Sequence, residues 1–552
     1  MKKEIIDLVF PDPLPSTEEI EAKYPARQLP EGAKVTRVGP SPTGYLHLGT
    51  LSAALIPERI AHQSGGVFFL RIEDTDQKRK VDGAVDIILQ AFKDYGLHND
   101  EGPVLGEGEK GAYGPYFQSQ RKEIYQAYIK KWLEEDKAYL CFCTEEDNEK
   151  THELQSKANI RPGYYGAFAK CRKLTEDEVL ANLKAGKRFV VRYKSTGHYS
   201  QKVLIEDLLR GKREFPQSDL DIPIMKGDGL PTYHFAHLID DHLMGTTIVV
   251  RGEEWMSSLP LHIQLFQSMG WKAPKYAHFP HIQKVDENGN RRKLSKRLDP
   301  EANVTYFDEK GYPKEAVIEY LLNLANSNFE DWRRQNPDKS YKDFPFSLKK
   351  MGSSGALFDF VKLDSISRDI IGRMSAQEVY DHTLEWCEKY DVPFATMMKE
   401  NADYMKRILD IERSNVKKVR KDITIWSDVK KENLFFFDNH FSLTTGEAYS
   451  VLKPLSVNDI NKIVKEFKEL YNPADDKNVW FEKIKQVATD IGFTCDMKAY
   501  KANPEAFKGN VSDVATVLRV FMTGKTQSPD LYSIMNVLGS DRVAKRLSIV
   551  EE

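Results

Sequence analysis

Apolar positions in the first quarter of this chain follow two periods. Lys34-Val35-Thr36-Arg37-Val38 is a short β-branched run and reads as a strand. Val67-Phe68-Phe69-Leu70-Arg71-Ile72 is a near-continuous apolar run, the kind buried on both faces of a parallel sheet. Leu51 to Ile56 is apolar and helix-compatible. Val81 to Tyr95 repeats at helical spacing, with Val85, Ile88, Leu89 and Phe92 on one face. Strand, helix, strand, helix predicts a doubly wound α/β nucleotide-binding domain beginning over residues 35–116. The pattern is interrupted over 117–225 and resumes near Pro231, with Thr246-Thr247-Ile248-Val249-Val250 as a further strand in 226–285. From about Asp286 the periodicity is mainly helical through to Glu552. Residues 1–34 carry Pro11, Pro13, Pro15, Pro25 and Pro30, and read as an extension that wraps the body or is partly disordered.

The breaks in these patterns carry the chemistry. After the first strand comes Gly39-Pro40-Ser41-Pro42-Thr43-Gly44-Tyr45-Leu46-His47-Leu48-Gly49-Thr50, where two prolines forbid both strand and helix. This gives a strand, a rigid turn and a helix start. Unpaired amides and the helix dipole attract anions at such a start. Gly49 lets a nucleotide lie against the backbone, and His47 offers a ring nitrogen to a phosphate oxygen. Far downstream, Lys293-Leu294-Ser295-Lys296-Arg297 follows Arg291-Arg292 in a strongly basic loop. The two segments together suggest a site that grips a nucleoside triphosphate from two sides.

Bulk properties narrow the class. A chain of 552 residues is long enough for three or more domains, and 41% hydrophobic residues suffice for their cores. Mean hydropathy is −0.53 and no apolar run approaches twenty residues, so no membrane span is expected. The N-terminal residues lack the apolar core of a secretory signal, and five cysteines argue against a disulfide scaffold. A cytoplasmic location is expected. The net charge of −3 requires any nucleic-acid surface to be a local basic patch.

In this setting the Gly39–Thr50 block resembles the His-x-Gly-His element of class I aminoacyl-tRNA synthetases, and Lys293–Arg297 resembles their Lys-Met-Ser-Lys-Ser loop. Pro-Ser-Pro-Thr-Gly-Tyr-Leu-His with Arg71-Ile72-Glu73-Asp74-Thr75-Asp76 is similar to the bacterial type of glutamyl-tRNA synthetase. Gly114-Pro115-Tyr116-Phe117-Gln118-Ser119, Pro231-Thr232-Tyr233-His234-Phe235-Ala236, Asp240-Asp241-His242-Leu243-Met244-Gly245 and Arg251-Gly252-Glu253-Glu254-Trp255 follow in the family's order. The resemblance is strong from about Val35 to Leu363 and weaker beyond.

The resemblance implies a Rossmann-like catalytic domain, an α+β acceptor-stem-binding insertion over 117–225, a stem-contact region over 286–370 and an all-α anticodon-binding region over 371–552. It implies glutamate activation by ATP with Mg2+, then transfer to the 3′ end of tRNA(Glu) by a monomer. Charging of tRNA(Gln) as well is the alternative. His47, Gly49, Lys293, Ser295 and Lys296 are the expected catalytic group, and Thr50 and Glu254 join them around ATP. Arg37, Ser41, Glu73, Tyr233, His237 and Arg251 are expected around glutamate, because guanidinium forks match carboxylates. The bland alternative for Arg37 and Arg251 is pairing with internal acids such as Glu73 or Glu253. His237 departs from the family's usual asparagine.

Cys141, Cys143 and Cys171 are candidate metal ligands, but Lys173 stands where the relatives' fourth ligand falls, so a cluster without zinc is expected. Cys387 and Cys495 read as isolated buried residues. In the helical third, Lys417, Lys418, Arg420 and Lys421 form a basic cluster suited to tRNA phosphates, while Phe435-Phe436-Phe437 reads as core. A non-catalytic tRNA-binding paralogue is opposed by the intact His47, Gly49, Lys293 and Lys296. A small-molecule nucleotidyltransferase would not need Arg37, Glu73 and Arg251 together.

Overall fold

The first two predicted strands form and lie side by side. β1 (Val35–Val38) runs parallel to β2 (Val67–Leu70), with Val35 opposite Val67 and Val38 opposite Leu70. This computed structural model describes residues 1–552 except Tyr45, Lys80, Glu107, Lys296, Asn415, Glu552 and the side chain of Glu551. It divides into two units, residues 1–306 with 318–359 and residues 307–317 with 360–552.

In the first unit, α1 (Leu48–Gln63) connects β1 to β2 and buries Leu48, Leu51, Ala54, Leu55 and Ile56. The helix expected over Val81–Tyr95 forms as α2 (Ala84–Asp94) and buries Ile88, Leu89 and Phe92. The sheet continues through Thr247, whose amide donates to the Val35 carbonyl at 2.9 Å. β5 (Ile248–Gly252) then pairs in parallel with β6 (Lys275–Phe279). The hairpin β3 (Lys202–Asp207) and β4 (Gly211–Pro216) falls within the expected insertion, yet β3 pairs in parallel with β6 at Asp207 and Tyr276. The hairpin therefore extends the catalytic sheet. The reason is local: the Asp207 carboxylate accepts both the His278 amide and the His278 ring.

The rest of the 117–225 stretch is α+β. Ala138–Cys141, Val190–Tyr193 and Pro223–Met225 form an antiparallel sheet, and helices Lys122–Glu134, Glu145–Lys157 and Glu176–Lys184 belong to the same stretch. The N-terminal segment wraps this body rather than being disordered. Its helices Lys3–Val9 and Thr17–Lys23 sink Ile5, Ile6 and Ile20 into a core with Tyr125, Tyr128 and Trp132. Arg27 closes the wrap, bound to both oxygens of Glu101 at 2.7 and 2.8 Å and lying 3.8 Å from the Tyr113 ring centre. Crossing helices α3 (Tyr233–Leu243) and α4 (Leu259–Met269) complete the unit beside β5.

The second unit is helical. Its core includes Val379, Met398, Ile408, Phe467, Val514, Phe521 and Met535, and Phe435 and Phe436 are buried in it as expected. Cys387 is buried there too. Cys495 corrects the reading from sequence: it is exposed. Among the described residues no helix is long and apolar enough to cross a membrane.

One ion cluster in the first unit ties stability to pH. His62 lies 3.2 Å from Glu58 and 3.0 Å from Asp100, and these bonds, Asp100's foremost, raise its pKa from 6.5 to about 9. The folded value lies above the unfolded one. The stabilisation is therefore complete below about pH 6.5 and is lost as pH rises through about 9. Thermal midpoints measured across that window are expected to fall for the wild type and to fall much less for His62→Gln.

Candidate active site

β1, α1, β2, α3 and β5 converge on one cleft of about 1550 Å³. It is lined by Arg37, Ser41, His47, Gly49, Thr50, Glu73, Tyr233, Arg251, Glu254, Lys293 and Ser295. The turn after β1 and the basic loop, more than two hundred residues apart in sequence, thus border the same space. Lys296 lies outside the described residues.

His47 is the N-cap of α1, and its Nδ1 accepts the Gly49 amide at 2.8 Å. That cap fixes the tautomer. Nδ1 is the acceptor, so Nε2 carries the proton and is a donor. Gly49 permits the cap, because a Cβ there would lie 3.0 Å from Nδ1. Gly39 is tighter still: a Cβ would lie 2.3 Å from Glu73 Oε1, so this glycine lets the Glu73 carboxylate reach the floor.

Across the cleft, Gln283–Val285 and Arg291–Lys293 form a hairpin that carries the basic loop. Leu294 is buried and anchors it. Asp299 accepts both Arg292 guanidinium nitrogens at 2.6 and 2.8 Å and the Ser295 amide at 2.8 Å. The Arg292 bonds hold the Asp299 carboxyl well below the usual carboxylate range. Arg292 is thus spent on bracing the loop, while Lys293 is exposed at its edge. Glu254 pairs with His281 at 2.8 Å.

Beneath the cleft lies a buried ion cluster. Arg37 pairs with Asp241 at 3.2 Å, so it does take an internal acid, though not Glu73; among the described residues Arg251 has no such partner. Arg71 reaches Asp241 at 2.8 Å, Glu73 at 3.0 Å and Asp240 at 3.6 Å. Arg121 binds Asp240 at 2.7 Å. Burial alone would raise the Asp241 pKa, but Arg37 and Arg71 drive it well below 3.8. Glu73 goes the other way: burial raises its pKa despite Arg71 and Arg37. Glu253, the other candidate partner for Arg251, binds Arg210 and His281 instead.

His237, expected either to shape the glutamate pocket or simply to pack, lies beneath the cleft. It is fully buried, does not line the cleft, and stacks under the Tyr233 ring at 5.9 Å. Its Nδ1 lies 2.7 Å from Asp241, closer than the 3.1 Å to Arg37, so Nδ1–H donates to the carboxylate and Nε2 accepts from Tyr276 at 3.0 Å. Burial lowers its pKa to about 3, so it packs as a neutral ring.

Other expected residues divide similarly. Lys417 and Lys418 are exposed, and Lys421 pairs with Asp369 at the surface. Arg420 is a correction. It is only 7% exposed, and its guanidinium is consumed by Asp422 and the Ile408 carbonyl, which withdraws it from any phosphate. Cys141, Cys143 and Cys171 have sulfurs within 4.8 Å of one another. Of the fourth groups open from sequence, His152 or a tyrosine, it is a tyrosine that lies at the cluster: the Tyr164 hydroxyl is 3.4 Å from Cys141 Sγ and 3.3 Å from Cys143 Sγ. Asp240 and Asp241 stand inside a sequence motif that by itself assigns them no role. No local pattern in the sequence marks His262 or His278.

Comparison with known proteins agrees with this arrangement. Residues 34–335 match the family described as tRNA synthetases class I (E and Q), catalytic domain, and residues 378–550 match an anticodon binding domain. The fold and cleft are therefore those of a class I tRNA synthetase. A glutamate–tRNA ligase of Clostridium perfringens strain 13 is 46% identical, covering 98% of this chain and 99% of the relative. One of Acetivibrio thermocellus is 45% identical over 99% of each. A crystal structure of a glutamate tRNA ligase from Elizabethkingia meningosepticum in complex with its amino acid superposes with a TM-score of 0.74 at 27% identity, covering 94% of this chain and 99% of that one. The chain belongs to the glutamate–tRNA ligase family.

Removing one partner from a buried pair leaves the other charged and desolvated, at about 3–5 kcal/mol. Asp241→Asn strands Arg37 and leaves Arg71 with Glu73 and Asp240 only. It is expected to destabilise the first unit on that scale, read as a large drop in its thermal midpoint.

Proposed function

We propose that this chain joins L-glutamate to the 3′ end of tRNA(Glu) in two steps driven by ATP. The observation that carries the reading is the single cleft bordered by His47 and Gly49, by Lys293 and Ser295, and by Arg37, Glu73 and Arg251. ATP enters as its magnesium complex. The glutamate α-carboxylate attacks the α-phosphorus and pyrophosphate leaves with the electron pair of the broken bond. Charge grows on the phosphate oxygens as that bond lengthens, so the protein's task is positioning and charge stabilisation. His47 donates from Nε2, a role its cap prepares. Lys293 approaches from the opposite hairpin, and Lys296 is assigned the same task by its motif. Glu73 receives the substrate ammonium. Arg37 and Arg251 flank the carboxylates, with Ser41 and Tyr233 completing the walls, and Thr50 and Glu254 border ATP.

In the second step the terminal 2′-hydroxyl of tRNA attacks the activated carbonyl and AMP leaves. Lys417, Lys418 and Lys421 are read as phosphate contacts on the helical unit. The chain is read as a cytoplasmic monomer.

ATP–pyrophosphate exchange, run with tRNA present, tests the first step. Exchange is expected to depend on glutamate, and His47→Ala is expected to slow it by about 10²-fold. Near-normal exchange by that variant overturns the role of His47. Charging of purified tRNA(Glu) and tRNA(Gln) side by side is expected to favour tRNA(Glu); comparable charging of both gives the broader alternative.

The cysteine cluster is read as a small structural zinc site. Three thiols and the Tyr164 phenol supply four donors at one place, which suits a closed tetrahedral ion. Elemental analysis of the purified chain is expected to find about one zinc per chain, and none in Cys143→Ser. A wild-type chain free of metal restores the simpler reading of an unmetallated cluster.

A further inference from the structure

Arg37 and Arg251 face the same cleft but are held by opposite chemistry. Arg37 rests on a carboxylate, Asp241. Arg251 rests on two histidines: its Nε donates to His278 Nε2 at 2.9 Å and its Nη2 to His262 Nδ1 at 3.0 Å. The guanidinium lies 4.9 Å from the Tyr276 ring centre and 5.9 Å from that of Trp255. The residue is 5% exposed and its Nη1 has no hydrogen-bond partner. Among the described residues no carboxylate lies within ion-pair distance of it.

The two histidines accept only if they are neutral and in one tautomer each. His278 Nδ1–H donates to Asp207 at 2.7 Å, which leaves Nε2 with its lone pair toward Arg251. His262 Nε2–H donates to His234 Nδ1 at 2.9 Å, which leaves its Nδ1 as the acceptor. Burial, with the charge of Arg251 added, keeps all three rings neutral, and lowers His234 to about 4. The acid behind this shell does not reach the guanidinium. Asp207 stands across the His278 ring and is already bound by that ring and by the amides of Leu209, Arg210 and His278.

The charge count then becomes specific. Arg37, Arg71 and Arg121 are matched by Asp240, Asp241 and Glu73. Arg251, which lines the cleft, is left with an unpaired charge and with a buried Nη1 donor that has no partner. Free glutamate carries one net negative charge at neutral pH and glutamine carries none.

Building on the function proposed above, we propose that His262 and His278 are positioning residues that fix Arg251 while leaving its charge unpaired, and that they thereby set the preference for a side-chain carboxylate over a carboxamide. A carboxylate in either place would hold the guanidinium equally well and neutralise it.

The test compares variants that differ in charge alone. His262→Asn keeps a neutral acceptor near the place of Nδ1, and His262→Asp puts a charge there. In exchange assays with tRNA, His262→Asp is expected to raise the KM for glutamate by about tenfold over His262→Asn, equivalent to roughly 1.4 kcal/mol. The KM for ATP is expected to change by less than about twofold, and discrimination against glutamine to fall. His278→Gln and His278→Met supply a second pair should His262→Asp fail to fold. The first retains an acceptor for Nε and the second removes it, so His278→Met is expected to show the larger rise for glutamate. Equal effects of both members of the folded pairs, or parallel rises for glutamate and ATP, overturn the proposal. A wild-type chain with no glutamate-dependent exchange overturns the functional reading beneath it instead.

Discussion

Two consecutive aspartates on one helix hold this catalytic unit's floor in register. Asp240 and Asp241 on α3 face arginines from three other places: Arg37 on β1, Arg71 just after β2, and Arg121 beside the helix Lys122–Glu134. Buried ion pairs of this kind contribute little net stability, since desolvation consumes most of the attraction. Their effect is geometric. A guanidinium wedged between two fixed carboxylates cannot rotate without stranding a charge. The strand ends that carry Arg37 and Glu73 are therefore located against α3 more narrowly than apolar packing alone would locate them.

The same web joins segments that look independent along the chain. The Gln118 side chain donates to Asp240 at 2.9 Å, and Asp74 accepts the Ser119 amide and hydroxyl at 2.8 and 2.6 Å. Backbone bonds from Ile72 to Tyr116 and from Gln118 back to Ile72 run alongside. Arg71–Asp76 and Gly114–Ser119, which the sequence presents as separate signatures, are thus adjoining pieces of one floor. The basic loop is built on the same rule with two buried acids, Asp299 and Glu301, the latter also bound by Lys284. Asp299 gathers Arg292, Lys284 and the Ser295 amide, and leaves Lys293 facing the cleft.

Local order was legible before any coordinates. Periodicity marked β1, β2 and α2 to within a few residues, because burial on a strand or helix imposes its own spacing, but for α1 it marked only the apolar stretch 51–56 of a helix that runs to Gln63. The Gly39–Thr50 turn was legible because proline and glycine restrict the backbone directly. Partners were not legible. Arg37 meets Asp241 across 204 positions, His237 turns inward beneath Tyr233, and Arg420 folds back on Asp422 two residues away. Charge in a sequence gives the sign of a side chain but not the direction in which it points. The pairing of the hairpin 202–216 with β6 was hidden for a related reason, as was which tyrosine meets the cysteines: each rests on a contact that no local period encodes.

The contrast between the two cleft arginines has an electrostatic logic that does not depend on which substrate is present. At an effective dielectric near 20, unit charges about 4 Å apart interact by roughly 4 kcal/mol. A cation already bound to a carboxylate offers an incoming anion only a fraction of that, because the resident acid repels the newcomer. A cation held by imidazole lone pairs offers nearly all of it, and its desolvation has been met at folding by two neutral acceptors and two aromatic rings. The cleft therefore contains one balanced ion cluster that fixes shape and one unbalanced cation that creates a demand for negative charge. Exchanging the two kinds of support, histidines under Arg37 and an aspartate under Arg251, would conserve total charge and hydrogen bonding yet move the demand to the other wall.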